Sequence, residues 1–131
     1  MKTSITKITL IAAFVFSAFS SNAQKVYATK TGQTAFNASS PIEKIAAINN
    51  QTDSKFVGEN GQVIFAVLVK GFKFENQLME DHFNENYMES NTFPKSTFKG
   101  EIVGFDASKA SEKPMDVTVK GTLEMHGVSK E

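Results

Sequence analysis

The chain has 131 residues, with 14 lysines, no arginine, 14 acidic residues and no cysteine. Without arginine it lacks the bidentate donor that phosphate and base recognition most often uses, so we expect no nucleic-acid partner. Without cysteine it has no disulfide, no thiolate nucleophile and no cysteine-based zinc site, so the fold must rest on packing alone.

The first 23 residues have the layout of a cleavable signal peptide. Lys2 and Lys7 precede an apolar run over residues 8–19, and the small residues Ser21-Asn22-Ala23 follow it. The apolar run is shorter than the ~20 residues that span a bilayer, so we expect no stable membrane span. An uncleaved membrane anchor is the alternative. We predict cleavage after Ala23, which leaves one periplasmic or secreted domain over residues 24–131.

The domain begins with strand patterns. Lys25–Thr31 and Gln33–Ala38 flank Gly32 and predict either a hairpin or one bent strand. The apolar residues between Ile42 and Ile48 are compatible with a helix or a strand. The first part of the domain is therefore predicted to be β structure, with one ambiguous segment between Ile42 and Ile48.

The next segments contain turn signals and a continuous apolar run. Gln51–Ser54 is predicted to be a turn, and Gly58–Gly61 contains Asn-Gly, a strong hairpin signal. Val63–Val69 is apolar at every position, so we expect a strand with both faces covered. Phe72 and Phe74 follow it on one side of an irregular segment.

The period then changes from strand to helix. We predict a short amphipathic helix near residues 76–89, with Met79, Phe83 and Tyr87 forming a buried stripe because they recur at every fourth position. Pro94 ends this pattern, since its ring disfavours helical geometry for the residue before it.

Two strands and a polar loop complete the chain. Thr97–Phe105 is rich in β-branched and aromatic residues and predicts a strand, whereas Asp106–Pro114 is polar and predicts a loop. Met115–Met125 alternates apolar and polar residues, which is typical of a strand with one solvated face.

Three of these segments match a known family pattern when taken in order. His82–Gly100 fits HF-x(3)-YM-x(4)-FP-x(2)-TF-x-G, Gly61–Val67 fits the preceding strand, and Val117–Lys130 fits a later strand with its His-Gly-Val-Ser-Lys turn. Over Tyr27–Glu131 the chain thus resembles the YceI-like, lipid- or polyisoprenoid-binding family. The resemblance implies an all-β fold, an antiparallel lipocalin-like β-barrel with one short helix.

The end of the chain departs from the family. Family members continue after the His-Gly-Val-Ser-Lys turn with strands that close the barrel, whereas this sequence stops at Glu131. We therefore expect a C-terminally truncated barrel in which Met115–Met125 is an unpaired edge. Such an edge can pair with another chain, so a homodimer is a conceivable assembly.

Aromatic residues suggest the site. The domain contains nine phenylalanines, which either fill the interior or line a space for one ligand, as barrels of about eight strands do. The family resemblance implies a lipid or isoprenoid chain as the partner. The expected ligand-binding residues are Phe65, Met79, His82, Phe83, Tyr87, Phe93 and Phe98.

Polar residues do not suggest catalysis. His82 and His126 are far apart in sequence, and we expect each to make local hydrogen bonds rather than to bind a metal. No nucleophile elbow or phosphate loop is present, so we expect no enzyme activity and no cofactor. The acidic side chains near the helix are interpreted as its solvated face (Glu80, Asp81, Glu85 and Glu89).

Two functions remain compatible with the sequence. The first is an exported protein that binds an amphiphilic or isoprenoid-type lipid inside a β-barrel. The second is a non-catalytic structural or stress-related periplasmic protein with a filled core and a partner on its surface. Phe93-Pro94, which we call the Phe-Pro corner, is flanked by Lys95 and Lys99. These lysines could contact an anionic headgroup in the first case and are solvated in the second.

Overall fold

The structure, a computed structural model, describes residues 23–131. The predicted signal peptide therefore lies outside the described residues, apart from Ala23. Within the described range, every helix is too short or too polar to cross a bilayer.

Seven antiparallel strands form one sheet in the order β1-β2-β3-β5-β6-β7, with β4 pairing with β2. The strands are β1 (Val26–Asn37), β2 (Ala46–Val57), β3 (Gln62–Leu68), β4 (Lys73–Phe74), β5 (Lys95–Ile102), β6 (Val119–Met125) and β7 (Val128–Lys130). The sheet is open, because β1 and β7 do not pair with each other among the described residues. The prediction of an all-β fold with one short helix is confirmed.

The helix lies between β4 and β5. It consists of α1 (Gln77–His82) and a π-helical turn over Phe83–Tyr87 that continues it. Short 3-10 turns occupy Val69–Gly71 and Ala107–Lys109. The second of these turns is capped by Asp106, whose pKa is lowered by hydrogen bonds from the Ser108 hydroxyl and backbone N–H.

The two longest strands, β1 and β2, decide between two predicted alternatives and show that one predicted turn is wrong. β1 is a single strand whose register shifts on either side of Gly32, so the bent-strand alternative holds. The predicted turn at Gln51–Ser54 is wrong, because these residues lie inside β2. Their polar composition resembles a turn, yet Thr52 is buried and its hydroxyl is 2.7 Å from that of Thr34 on β1. A satisfied polar pair thus replaces apolar packing at this point of the strand.

The turn at Gly58–Asn60 is present, as expected. The prediction that both faces of the following strand are covered is wrong. Ile64 and Leu68 on β3 are 37% and 55% exposed. The continuous apolar run resembled a parallel strand buried on both sides, but an antiparallel sheet can leave one face in water.

The C-terminal strand also differs from expectation. β6 begins at Val119, later than the predicted Met115, and it is not the edge of the sheet because β7 pairs with it. His126 and Gly127 form the connecting turn with φ values of 53° and 71°. Two consecutive positive φ values are what a two-residue hairpin with correctly twisted strands requires.

The register assigns each side chain to one face of the sheet, since directly opposed residues point the same way. We call the face on which the helix packs the inner face. Its apolar residues come from five strands: Phe36, Phe56, Val63, Phe65, Val67, Phe98, Ile102 and Leu123. The outer face is largely polar and carries Lys55, Lys95, Lys99, Glu101 and Lys120.

Candidate ligand-binding groove

The helix is capped at its N-terminus and is linked to β4 along its side. The side chain of Asn76 accepts hydrogen bonds from the backbone N–H groups of Leu78 (2.8 Å) and Met79 (3.4 Å), which caps the first turn. The carboxylate of Glu80 lies 2.8 Å from Lys73 Nζ and accepts a hydrogen bond from the Phe74 N–H. The helix is therefore fixed to the strand that precedes it.

Four phenylalanine rings join the helix to the sheet. Phe83 lies 4.9 Å from Phe74, 5.5 Å from Phe36 and 5.9 Å from Phe72, measured between ring centroids. Phe36 also contacts Phe72 and Phe74. Edge-to-face and tilted arrangements of this kind are favourable for aromatic rings. We call these four rings the phenylalanine cluster.

A groove of about 540 Å³ opens between this cluster and the helix. That volume is within the range of pockets that bind small molecules. Its walls are apolar for the most part, with a few polar side chains, and are formed by Phe36, Ala38, Glu43, Ile45, Phe74, Asn76, Leu78, Met79, His82, Phe83 and Tyr87. The groove therefore offers apolar contact area together with a small number of polar contacts.

The groove contains four of the seven predicted ligand-binding residues: Met79, His82, Phe83 and Tyr87. Phe65 and Phe98 lie together elsewhere on the inner face, with ring centroids 6.4 Å apart. Phe93 packs against His126 at 4.7 Å. The predicted residues thus form three separate groups instead of one continuous lining.

Sequence reasoning did not include Phe36 and Phe74 in the site. The signal for Phe74 was available, because Phe72 and Phe74 were recognised as lying on one side of the chain. Phe36 could have been found from the alternation of β1 only if the partner strand and its register were known.

The helical stripe is only partly buried. Met79 and Phe83 are half-buried, but Tyr87 is 73% exposed, so the predicted burial of Tyr87 is wrong. The reason is the π-helical turn, in which the N–H of Met88 bonds to the carbonyl of Phe83, five residues earlier. The wider turn rotates Tyr87 away from the position that α-helical spacing predicts.

Two acidic side chains near the helix make contacts that the sequence did not predict. The Glu80 side chain is only 12% exposed, so it is not part of a solvated helix face. Glu89 is exposed, as expected, although it follows the helical turn and lies 2.7 Å from His126. Asp81 and Glu85 are exposed, as expected.

The two histidines and the two lysines considered as head-group contacts lie in different parts of the structure. His82 lines the groove and is exposed, and no ring hydrogen bond of His82 is found in the described part of the chain. His126 shapes the β6–β7 turn, as predicted. Lys95 and Lys99 are on the outer face, directed away from the groove. Residues 23–131 contain no cluster of three or more histidine, aspartate or glutamate side chains suited to a metal ion.

Comparison with known proteins identifies the family. A model of the YceI-like domain matches residues 11–131. The chain belongs to the YceI-like domain family. A search of curated proteins gave no match.

One solved structure that is similar to this chain is the crystal structure of a mutant CJ YceI protein with a monobromobimane guest. The two share 18% identity with a TM-score of 0.44, over 96% of this chain and 64% of the solved one. The chain described here thus spans about two thirds of the length of that relative.

Proposed function

We propose that this YceI-like protein is an exported, non-catalytic binding protein that holds an amphiphilic or isoprenoid-type lipid against the apolar inner face of its β-sheet. The observation that carries the proposal is the uncovered apolar surface on that face. Phe65, Leu123 and Met125 are 42%, 41% and 43% exposed although they lie on the side where the helix packs. A ligand that covers such surface gains the hydrophobic contribution of its own buried atoms as well as that of the protein.

The size of this contribution is sufficient for binding. Each CH₂ group removed from water contributes about 0.8 kcal/mol, so a ten-carbon chain offers about 8 kcal/mol before the entropy losses of association. A chain-like lipid can follow an extended apolar face without requiring many polar contacts. The family membership favours the same class of ligand.

The direct test is extraction of the full-length protein, purified from the cell envelope without detergent, followed by mass spectrometry of the extract. We expect one class of chain-like lipid in amounts comparable to the protein. If the protein is folded and its extract contains no lipid, the alternative of a structural protein with a filled core is favoured.

A pair of variants tests whether the inner face carries the ligand. Phe98→Lys places a charge on the inner face of β5 and is expected to remove the lipid, because a charge in an apolar site is costly. Thr97→Lys adds the same charge to the outer face of the same strand and should retain it. Equal lipid content in the two folded variants would contradict binding on the inner face.

A further inference from the structure

The groove beside the helix has an uneven distribution of charge. Glu43 is its one carboxylate, and no lysine lines it. The backbone of Glu43 is fixed by hydrogen bonds with Ser40, and its side chain forms no ion pair within residues 23–131. An apolar wall thus ends at a carboxylate that has no ion-pair partner among the described residues.

The nearest lysines do not offset this charge. Lys44 lies 3.1 Å from Glu75, and Lys73 lies 2.8 Å from Glu80. Both lysines line a separate groove on the other side of Asn76. Each of them already has a carboxylate partner, so neither provides an anion site at the mouth of the first groove.

The other polar groups suit a hydrogen-bonding head group. The Oδ1 atom of Asn76 is used in capping the helix, which leaves its NH₂ group at the groove. His82 and Tyr87 add an imidazole and a phenol hydroxyl, both exposed. These groups can exchange hydrogen bonds with an alcohol, an amide or an amine.

We infer that this groove receives the polar end of a chain-like amphiphile whose head group donates hydrogen bonds and is not anionic. The acyl or isoprenoid chain packs against Phe36, Phe74 and Met79, and the head group lies beside Glu43. Carboxylate and phosphate head groups are disfavoured there by repulsion from Glu43. This inference rests on the proposed lipid-binding function and adds the class of head group.

The test uses three amphiphiles with the same twelve-carbon chain, namely dodecylamine, dodecanol and dodecanoate. They are titrated below micelle formation into the full-length, delipidated protein at about pH 8, where an imidazole in ordinary surroundings is neutral. Binding is followed by NMR through the Leu78 methyl and Tyr87 ring signals, because these residues line this groove and not the one that contains Lys44 and Lys73. We expect the amine and the alcohol to bind about two- to fivefold more tightly than dodecanoate, the effect of one exposed carboxylate.

A charge-neutralising variant tests whether Glu43 causes the discrimination against dodecanoate. Glu43→Gln should abolish the discrimination against dodecanoate, whereas Glu85→Gln removes the same charge from the solvated side of the helix and should preserve it. If Glu43→Gln does not fold, the ranking of the three amphiphiles on the unmodified protein remains the test. Discrimination that is unchanged in folded Glu43→Gln would overturn the role of this side chain.

The outcomes separate this inference from the proposed function. Dodecanoate that binds as tightly as the amine overturns the head-group assignment and leaves lipid binding in place. Absence of groove signals from all three ligands, in a protein that still yields extractable lipid, overturns the groove as the head-group site only. Absence of both binding and extractable lipid overturns both.

Discussion

At the scale of single residues, the ring of Phe83 contacts three other phenylalanines from β1, β4 and the segment between β3 and β4. Phe83→Ala removes all of these contacts and is expected to lower the free energy of unfolding by about 3 kcal/mol, the lower part of the range for aromatic truncations because Phe83 is half-buried. Glu85→Ala, on the exposed side of the same helix, should change it by less than about 0.5 kcal/mol. Urea denaturation measures both, and equal losses would refute the assignment of the two helix faces.

Glu80 is a second residue with a specific structural role. Its largely covered carboxylate pairs with Lys73 and accepts the Phe74 N–H, so Glu80→Gln should cost about 1–2 kcal/mol through loss of charge-assisted hydrogen bonds. Glu75→Gln removes a similar pair with Lys44, but there both side chains are more than 70% exposed and the expected cost is below about 0.5 kcal/mol. Comparable midpoint shifts for the two variants would show that Glu80 is no more than a surface charge.

At the scale of elements, the pairing of β5 with β6 depends on two opposed glycines. Gly100 faces Gly121, and a Cβ on Gly121 would overlap the backbone carbonyl of Lys99, which cannot move without breaking the ladder. Gly121→Ala is therefore expected to cost about 1–3 kcal/mol and to speed amide hydrogen exchange along β5 and β6. Thr122→Ala, one residue away on the outer face, should leave exchange on β5 unchanged. Unchanged exchange in Gly121→Ala would mean that the two strands accommodate the added methyl group without loss of stability, which would contradict the prediction.

A contact between Glu89 and His126 links the β6–β7 hairpin to the segment that follows the helix. Glu89 and His126 both have positive φ values, 44° and 53°, and their side chains meet at 2.7 Å. Phe93 covers the histidine ring. Non-glycine residues with positive φ are retained only where the surroundings fix them, and here the Glu89–His126 contact and the packing of Phe93 do so. The long-range pair could not be found from sequence, because 37 residues separate its members.

At the scale of the whole molecule, the first prediction concerns export. The arrangement of Lys2, Lys7, an apolar run and Ser21-Asn22-Ala23 leads us to expect protein in the envelope fraction that begins at Gln24. Intact-mass measurement of that fraction gives the result directly. Recovery from the cytosol alone, or a mass that includes residues 1–23, would contradict it. Ala23→Leu should slow cleavage, since the peptidase requires a small residue at this position.

Local sequence patterns were sufficient to predict the class of fold, but they predicted only some of the residues that line the groove. A continuous apolar run identified the strand around Val63, alternation identified the strand around Leu123, and four-residue spacing identified the helix. The predicted turn at Gln51–Ser54 failed because the burial of Thr52 depends on a hydroxyl from another strand. Four groove residues were predicted because they lie on one helix, where spacing alone brings them together.

The sequence by itself determined the all-β class, the short helix, the Phe-Pro corner and the family, because each of these depends on the order of neighbouring residues. The tertiary structure decided that Phe36, Phe72 and Phe74 join Phe83 and that Phe65 and Phe98 form a separate pair. It also decided that Glu43 lines a groove whose described lining contains no lysine. These relations depend on strand register, and a shift of one residue would move every side chain to the opposite face. Register is set by contacts across the whole sheet, which no local segment of the sequence contains.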